Sequence, residues 1–212
     1  MFRQVSGRLV QWHTGRVSHE TKIGRLAKLF RTEVLGQDKC YNFQAFGDTL
    51  IGKTVKAISI AQSSSFDDLD PISSPCKRIL FTPTLFDTPE KARATVTSVR
   101  FAICPGERAE PVQDSDIIRV AATTEPARLG RRIHELYLKN KDQMTLRCTG
   151  TQQAATAVAA IATFNDKVES HKLQSFVSNE MVSDEFRGED RKIRAVLFHL
   201  QVVPTSEIEF PE

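Results

Sequence analysis

Apolar positions along this chain alternate in short runs and then recur at helical spacing, and the succession of the two patterns occurs twice. In the C-terminal half, Asp116 to Ala122 alternates as a strand, and Thr123-Thr124-Glu125-Pro126 offers N-cap candidates with proline opening a helix. That helix extends toward Asn140 and carries Leu129, Ile133, Leu136 and Tyr137 on one face. A second strand follows at Met144 to Cys148, a second helix at Gln152 to Phe164, a third strand at Leu173 to Val182 and a fourth at Lys192 to Val203. Ser183 to Arg191 joins the last two as a charged hairpin bending at Gly188. The predicted order is βαβαββ. The N-terminal half repeats it as a strand from Arg8 to Thr14, a helix from His19, a strand from Cys40 to Phe46, a helix from Ile51, and strands from Arg78 to Phe86 and Thr95 to Cys104.

Sequence identity supports the repetition. Gly47, Val55, Ala57 and Ile58 recur as Gly150, Val158, Ala160 and Ile161, all at an offset of 103 (150 − 47). Upstream, Lys22-Ile23-Gly24-Arg25-Leu26 aligns with Arg128-Leu129-Gly130-Arg131-Arg132 at an offset of 106 (130 − 24). Downstream, Ser98 to Ile103 aligns with Ala195 to Leu200 at an offset of 97 (195 − 98). The drift predicts extra residues in copy one at Thr32 to Lys39 and again at Ser63 to Lys77, a stretch of loop composition. The second helix of copy two, Ala154 to Ala162, has almost no polar face and so needs cover on more than one side. Its economical partner is the matching helix of copy one, which predicts two copies paired within one chain.

The expected division is residues 1–105, a linker at 106–114, residues 115–204, and an acidic tail at 205–212. No apolar run is long enough for a helical membrane span. Cys40, Cys76, Cys104 and Cys148 show no Cys-x-x-Cys spacing, and the five histidines show no metal spacing, so neither metal nor cofactor is expected. The net charge of +3 conceals an asymmetry: residues 1–105 hold 15 Lys+Arg against 9 Asp+Glu, and residues 106–212 hold 14 against 17. Before Glu33, seven basic residues face only Glu20. A basic, acid-poor start suggests either polyanion contact or organelle targeting, and its Arg and Ser favour a mitochondrial location, with cytoplasmic as runner-up.

The βαβαββ order, with a Gly loop leading into Val55-Lys-Ala-Ile-Ser-Ile-Ala61 and again into Val158-Ala-Ala-Ile-Ala162, resembles the Alba superfamily. Its fold is shared with the C-terminal domain of bacterial initiation factor three, and the small sporulation stage V protein S group is the most similar subgroup. The resemblance spans nearly the whole chain as two copies. It implies an α/β (α+β) protein of two tandem βαβαββ domains forming an intramolecular pseudo-dimer through their second helices. It also implies RNA or DNA contact from three places: the first strand–helix loop, the entry to helix two, and the β3–β4 hairpin. In copy one these positions hold Arg16, Lys22, Arg25, Gly47, Lys53, Lys91 and Arg93; in copy two they hold Arg128, Arg131, Arg132, Arg187 and Arg194. The Gly-Arg pair common at the helix-two entry of Alba proteins is Gly47-Asp48 here and Gly150-Thr151 in copy two.

Gly47-Asp-Thr-Leu-Ile-Gly52-Lys53-Thr54 also spells the phosphate-loop pattern, in which backbone N–H groups cradle phosphates, lysine neutralises them and threonine binds Mg²⁺. Against that reading stand the bulky Leu50 and Ile51, the replacement of Gly52-Lys53-Thr54 by Ala155-Thr156-Ala157 in copy two, and the lack of a parallel α/β core, Leu80 to Asp87 being a poor Walker B strand interrupted by Pro83. Trp12 and Phe101 could stack on bases or pack in the core. The resulting expectation is a non-enzymatic RNA-binding protein, with RNA favoured over DNA because the charge is modest. It would be a structural subunit of a ribonucleoprotein such as a mitochondrial ribosome, with protein partners there and no membrane contact. The alternatives are a P-loop nucleotide-binding or hydrolysing protein using residues 47–54, and a protein-only scaffold.

Overall fold

The structure is a computed structural model, and it describes residues 11–63, 77–86, 97–106, 117–186 and 189–208. The chain is a mixed α/β protein, and among the described residues four α-helices accompany one eight-stranded mixed sheet. Its first half runs β1 (Trp12–Arg16), α1 (Ile23–Leu29, continued by π-helical turns at Phe30–Leu35), β2 (Cys40–Phe46), α2 (Gly47–Ser63), β3 (Arg78–Leu85) and β4 (Ser98–Gly106). The second half runs β5 (Ile117–Val120), α3 (Pro126–Leu138), β6 (Gln143–Cys148), α4 (Thr151–Lys167), β7 (His171–Phe186) and β8 (Glu189–Pro204). The predicted linker lies mostly in residues 107–116, outside the described residues.

The strand order is β1-β2-β4-β3-β7-β8-β6-β5, so each half contributes four consecutive strands and the halves meet at β3 and β7. β1–β2 and β5–β6 are parallel and every other pairing is antiparallel. The β3–β7 junction has one registered pair, Phe81 with Ser175. Pro83 helps to explain why it is so short: proline has no N–H for a ladder, and its carbonyl accepts from the Asn165 side chain at 2.8 Å.

Alternation along each strand sends one set of side chains to the helices. Phe43, Phe81, Phe101, Leu146, Leu173, Val177 and Phe198 join Phe30, Ile51, Ile58, Ile133 and Ile161 from the helices in one hydrophobic cluster drawn from both halves. Phe101 is therefore core, fully buried against Phe81 at a ring separation of 5.9 Å. Helix α4 is buried from Ala154 through Ala162, and α2 supplies its second cover. A Cβ built on Gly52 would stand 2.1 Å from Thr151 Cγ2, and Gln152 Nε2 donates to Asp48 Oδ2 at 2.5 Å.

Four expectations are corrected. First, α1 begins at Ile23 rather than His19, because residues 17–22 form a turn in which Ser18 N–H donates to Thr21 Oγ1 at 2.9 Å. Second, α2 begins at Gly47 rather than Ile51. Third, β7 and β8 extend to Phe186 and from Glu189, so most of the segment expected as a hairpin loop is paired strand, and Gly188 lies outside the described residues.

The fourth correction concerns the repeat register. The first helices begin at Ile23 and Pro126, an offset of 103 (126 − 23), and their buried pairs Leu26/Leu129 and Phe30/Ile133 keep that offset. Copy one therefore has no surplus before β2, and the match of Gly24 to Gly130 is coincidental. Between the second helix and third strand, copy one has residues 64–77 where copy two has only 168–170, the position expected for the second insertion.

Candidate nucleic-acid interface

Each half turns from its first strand into its first helix by the same local device. Ser18 N–H donates to Thr21 Oγ1, and Ala121 N–H donates to Thr124 Oγ1, both at 2.9 Å and both 103 residues apart (121 − 18, 124 − 21). These short side-chain-to-backbone turns release the chain into an extended N-cap residue, Lys22 in one half and Glu125 in the other. Neither helix carries an acidic residue in its first turn.

With the register set at 103, three exposed basic positions coincide. Arg16 corresponds to Arg119 at the end of the first strand, Arg25 to Arg128 in the first helical turn, and Lys28 to Arg131 one turn further on. Arg25 and Lys28 share a helix face by their three-residue spacing, as do Arg128 and Arg131. Sequence reasoning missed Lys28 and Arg119. The signal that finds them is the offset of the Gly47 and Gly150 blocks carried upstream unchanged.

The structure brings Arg16, Lys22, Arg25 and Lys53 to one corner of the first half. Lys53 Nζ reaches from the second turn of α2 and donates to His19 O at 2.7 Å, tying α2 to the strand–helix turn. Arg16 lies over the Phe46 ring at 4.5 Å. In the second half Glu125 and Thr156 stand where the first has Lys22 and Lys53, so that corner is less basic. Arg132 is ion-paired with Glu135 at 3.3 Å. Arg194 is exposed on the extension of β8 beyond its ladder with β6, apart from the other cations. Lys91, Arg93 and Arg187 lie outside the described residues.

The phosphate-loop spelling does not form a loop. Residues 47–54 are the opening turns of α2. Leu50 and Ile51 are buried, Thr54 is fully buried with its hydroxyl donating to Leu50 O at 2.9 Å, and Gly52 closes against α4. Gly47, at φ 76°, takes the left-handed conformation that turns β2 into the helix, and its N–H donates to Thr97 O at 2.9 Å. The nest of free N–H groups that cradles a nucleotide phosphate is therefore not built here.

Among the described residues no His, Cys, Asp and Glu groups gather as a metal site. No described helix is long and apolar enough to cross a membrane. Compared with known proteins, the chain matches no protein-family model and no curated protein.

Proposed function

We propose that this chain is a non-enzymatic RNA-binding protein whose halves are Alba-like units paired through α2 and α4, serving as a structural subunit of a ribonucleoprotein such as a mitochondrial ribosome. The observation that carries this reading is the recurrence of three exposed basic positions, Arg16/Arg119, Arg25/Arg128 and Lys28/Arg131, on matching elements of the two halves. Exposed cations kept at matching places on both halves give the chain two equivalent basic surfaces that can meet phosphates. The first half, richer in cations through Lys22 and Lys53, faces RNA; the more acidic second half faces protein as well.

The test is fluorescence anisotropy of the purified chain with labelled RNA at about 50 and 200 mM salt, comparing wild type with Arg25→Glu/Lys28→Glu and Arg128→Glu/Arg131→Glu. Wild-type binding that weakens steeply with salt, and a shallower salt slope in both variants, is the expected result. Binding that is absent at low salt, or unaltered by all four substitutions, removes the reading and leaves the protein-only scaffold.

A further inference from the structure

Two cysteines that lie far apart in the sequence oppose each other in the sheet. The antiparallel ladder of β2 and β4 pairs Tyr41 with Ile103, and both strands continue through the next position, which sets Cys40 against Cys104. The second half supports this pairing. At the offsets of 103 (143 − 40) and 97 (201 − 104), the equivalent residues are Gln143 and Gln201, and these two are direct cross-strand partners on β6 and β8. Registered partners share a face of the sheet, and in an antiparallel pair they stand about 4.5 or 5.5 Å apart at Cα. A disulfide spans about 4.4–6.8 Å between Cα atoms, so either spacing admits one.

The surroundings give the two thiols different parts. Cys40 is 6% exposed and lies beside Trp12 of β1, whereas Cys104 is partly exposed and lies beside Leu80 of β3. Cys148 is a contrast. It is fully buried, its thiol donates to Gln153 O at 3.5 Å, and burial pushes its pKa up to about 12. The residue registered across from it is Val196, so no second thiol faces it there.

We propose that Cys40 and Cys104 are a reversible redox site that closes to a cross-strand disulfide when the chain meets a peroxide. The inference goes beyond the RNA-binding reading and does not depend on it. Cys104, the more accessible thiol, attacks the peroxide as its thiolate. An S–O bond forms, the O–O bond breaks, and the leaving hydroxide takes up the thiol proton as water. Cys40 then attacks the sulfenic sulfur of Cys104; the S–S bond forms, the S–O bond breaks, and a second water leaves. Two electrons pass from the two sulfurs to the peroxide, and a dithiol reverses the closure. The bond joins the two inner strands of the first half and closes residues 40–104 into a loop, which removes freedom from the unfolded chain. The paired glutamines of the second half have no such chemistry, so the device belongs to the half that carries Lys22 and Lys53.

The experiment treats the purified full chain with a small molar excess of hydrogen peroxide, digests it without reduction and maps the peptides by mass spectrometry. A linked pair joining Cys40 to Cys104, lost on addition of dithiothreitol, is the expected result. Trp12 is the chain's one tryptophan and adjoins Cys40, so its fluorescence should be quenched on closure and restored by dithiothreitol. The oxidised chain should melt roughly 10 °C higher than the reduced one. Cys104→Ser should abolish all three changes and Cys148→Ala should keep them. The peptide map is read on wild type, so it decides the matter even where a variant folds poorly. No linked pair, a disulfide from either cysteine to Cys76 or to a second copy of the chain, or Cys104 carried on to the sulfinic acid without an S–S bond would each overturn the inference.

Discussion

Phe81 on β3 and Ser175 on β7 face each other across the junction of the two halves, and each holds the same place in its own half. Phe81 is registered with Ile103, Ser175 with Leu200, and Ile103 and Leu200 are equivalent positions 97 apart (200 − 103). A residue that meets its own counterpart lies on the local axis relating the halves. The hydrogen bonds beside it obey the same relation: Gln62 Nε2 donates to Ile79 O at 3.3 Å, and its counterpart Asn165 Nδ2 donates to Leu173 O at 3.1 Å.

Asn165 makes further bonds across the junction. Asn165 also donates to Pro83 O at 2.8 Å and accepts from Leu173 N–H at 2.6 Å, so it joins α4 to both halves of the sheet. Asn165→Ala leaves three buried backbone groups unpaired and is expected to cost about 2–4 kcal/mol. Urea denaturation followed by circular dichroism measures it. A loss under about 1 kcal/mol would show that Asn165 does not staple the junction.

Gly52 packs directly against Thr151, at the start of α4. Elsewhere in a helix Gly→Ala gains about 1 kcal/mol, but here the new methyl meets Thr151 Cγ2 at 2.1 Å and Thr151 O at 3.1 Å. Gly52→Ala should therefore destabilise by about 1–3 kcal/mol, and Thr151→Ala should recover part of that loss. Additive effects in the double variant would mean that the helices do not touch there.

His199 should give the chain an acid-side slope in stability. It is 8% exposed, stacks on Phe176 at 4.4 Å and shares a 2.8 Å hydrogen bond between Nε2 and Ser178 Oγ. Burial first, and the nearby Arg78 guanidinium second, hold its pKa down at about 4, with the Arg147–Glu180 pair on the same face. The unfolded chain binds a proton near pH 6.5 and the folded chain does not until about pH 4. Stability is thus complete above the unfolded value and falls as pH drops through that window, by about 3 kcal/mol in all. His199→Gln should flatten that part of a stability–pH curve relative to wild type. An unchanged slope would place its origin elsewhere.

Because residues 47–54 are helix, a nucleotide has no cradle there. Addition of millimolar ATP and Mg²⁺ is expected to leave the melting temperature unmoved in wild type and in Lys53→Met alike. Lys53→Met instead loses the bond to His19 O, and hydrogen exchange should quicken in the turn at residues 17–22. A nucleotide-dependent rise in melting temperature, abolished by Lys53→Met, would restore the P-loop alternative.

Much of the fold was legible from periodicity. β2 was delimited at both ends, and α4 was identified by an apolar surface that demanded two covers. The errors have specific causes. Gly24 and Gly130 aligned by identity drew the repeat register three residues off, whereas the buried pairs Leu26/Leu129 and Phe30/Ile133 correct it. The helix at Gly47 was started late because Gly47, Gly52 and Thr54 imitate a phosphate loop in one dimension. In three dimensions Gly52 is a small residue at a helix crossing. The candidate cations Arg16, Lys22, Arg25, Lys53, Arg128 and Arg131 were legible by charge and place, but Lys28 and Arg119 were not. A lone arginine in a strand gives no sign of which face it will join.

The sequence by itself determined the order of elements and their occurrence twice, because hydrogen-bonding period and side-chain alternation are local properties of the chain. Only the tertiary structure decided that the halves meet edge to edge at β3 and β7 while α2 closes on α4. That outcome depends on which strand edges are left unpaired and on how near Gly52 lets two helices approach. The same long-range packing placed all four helices on one side of the sheet. It thereby set which side chains of each strand remained outside the core.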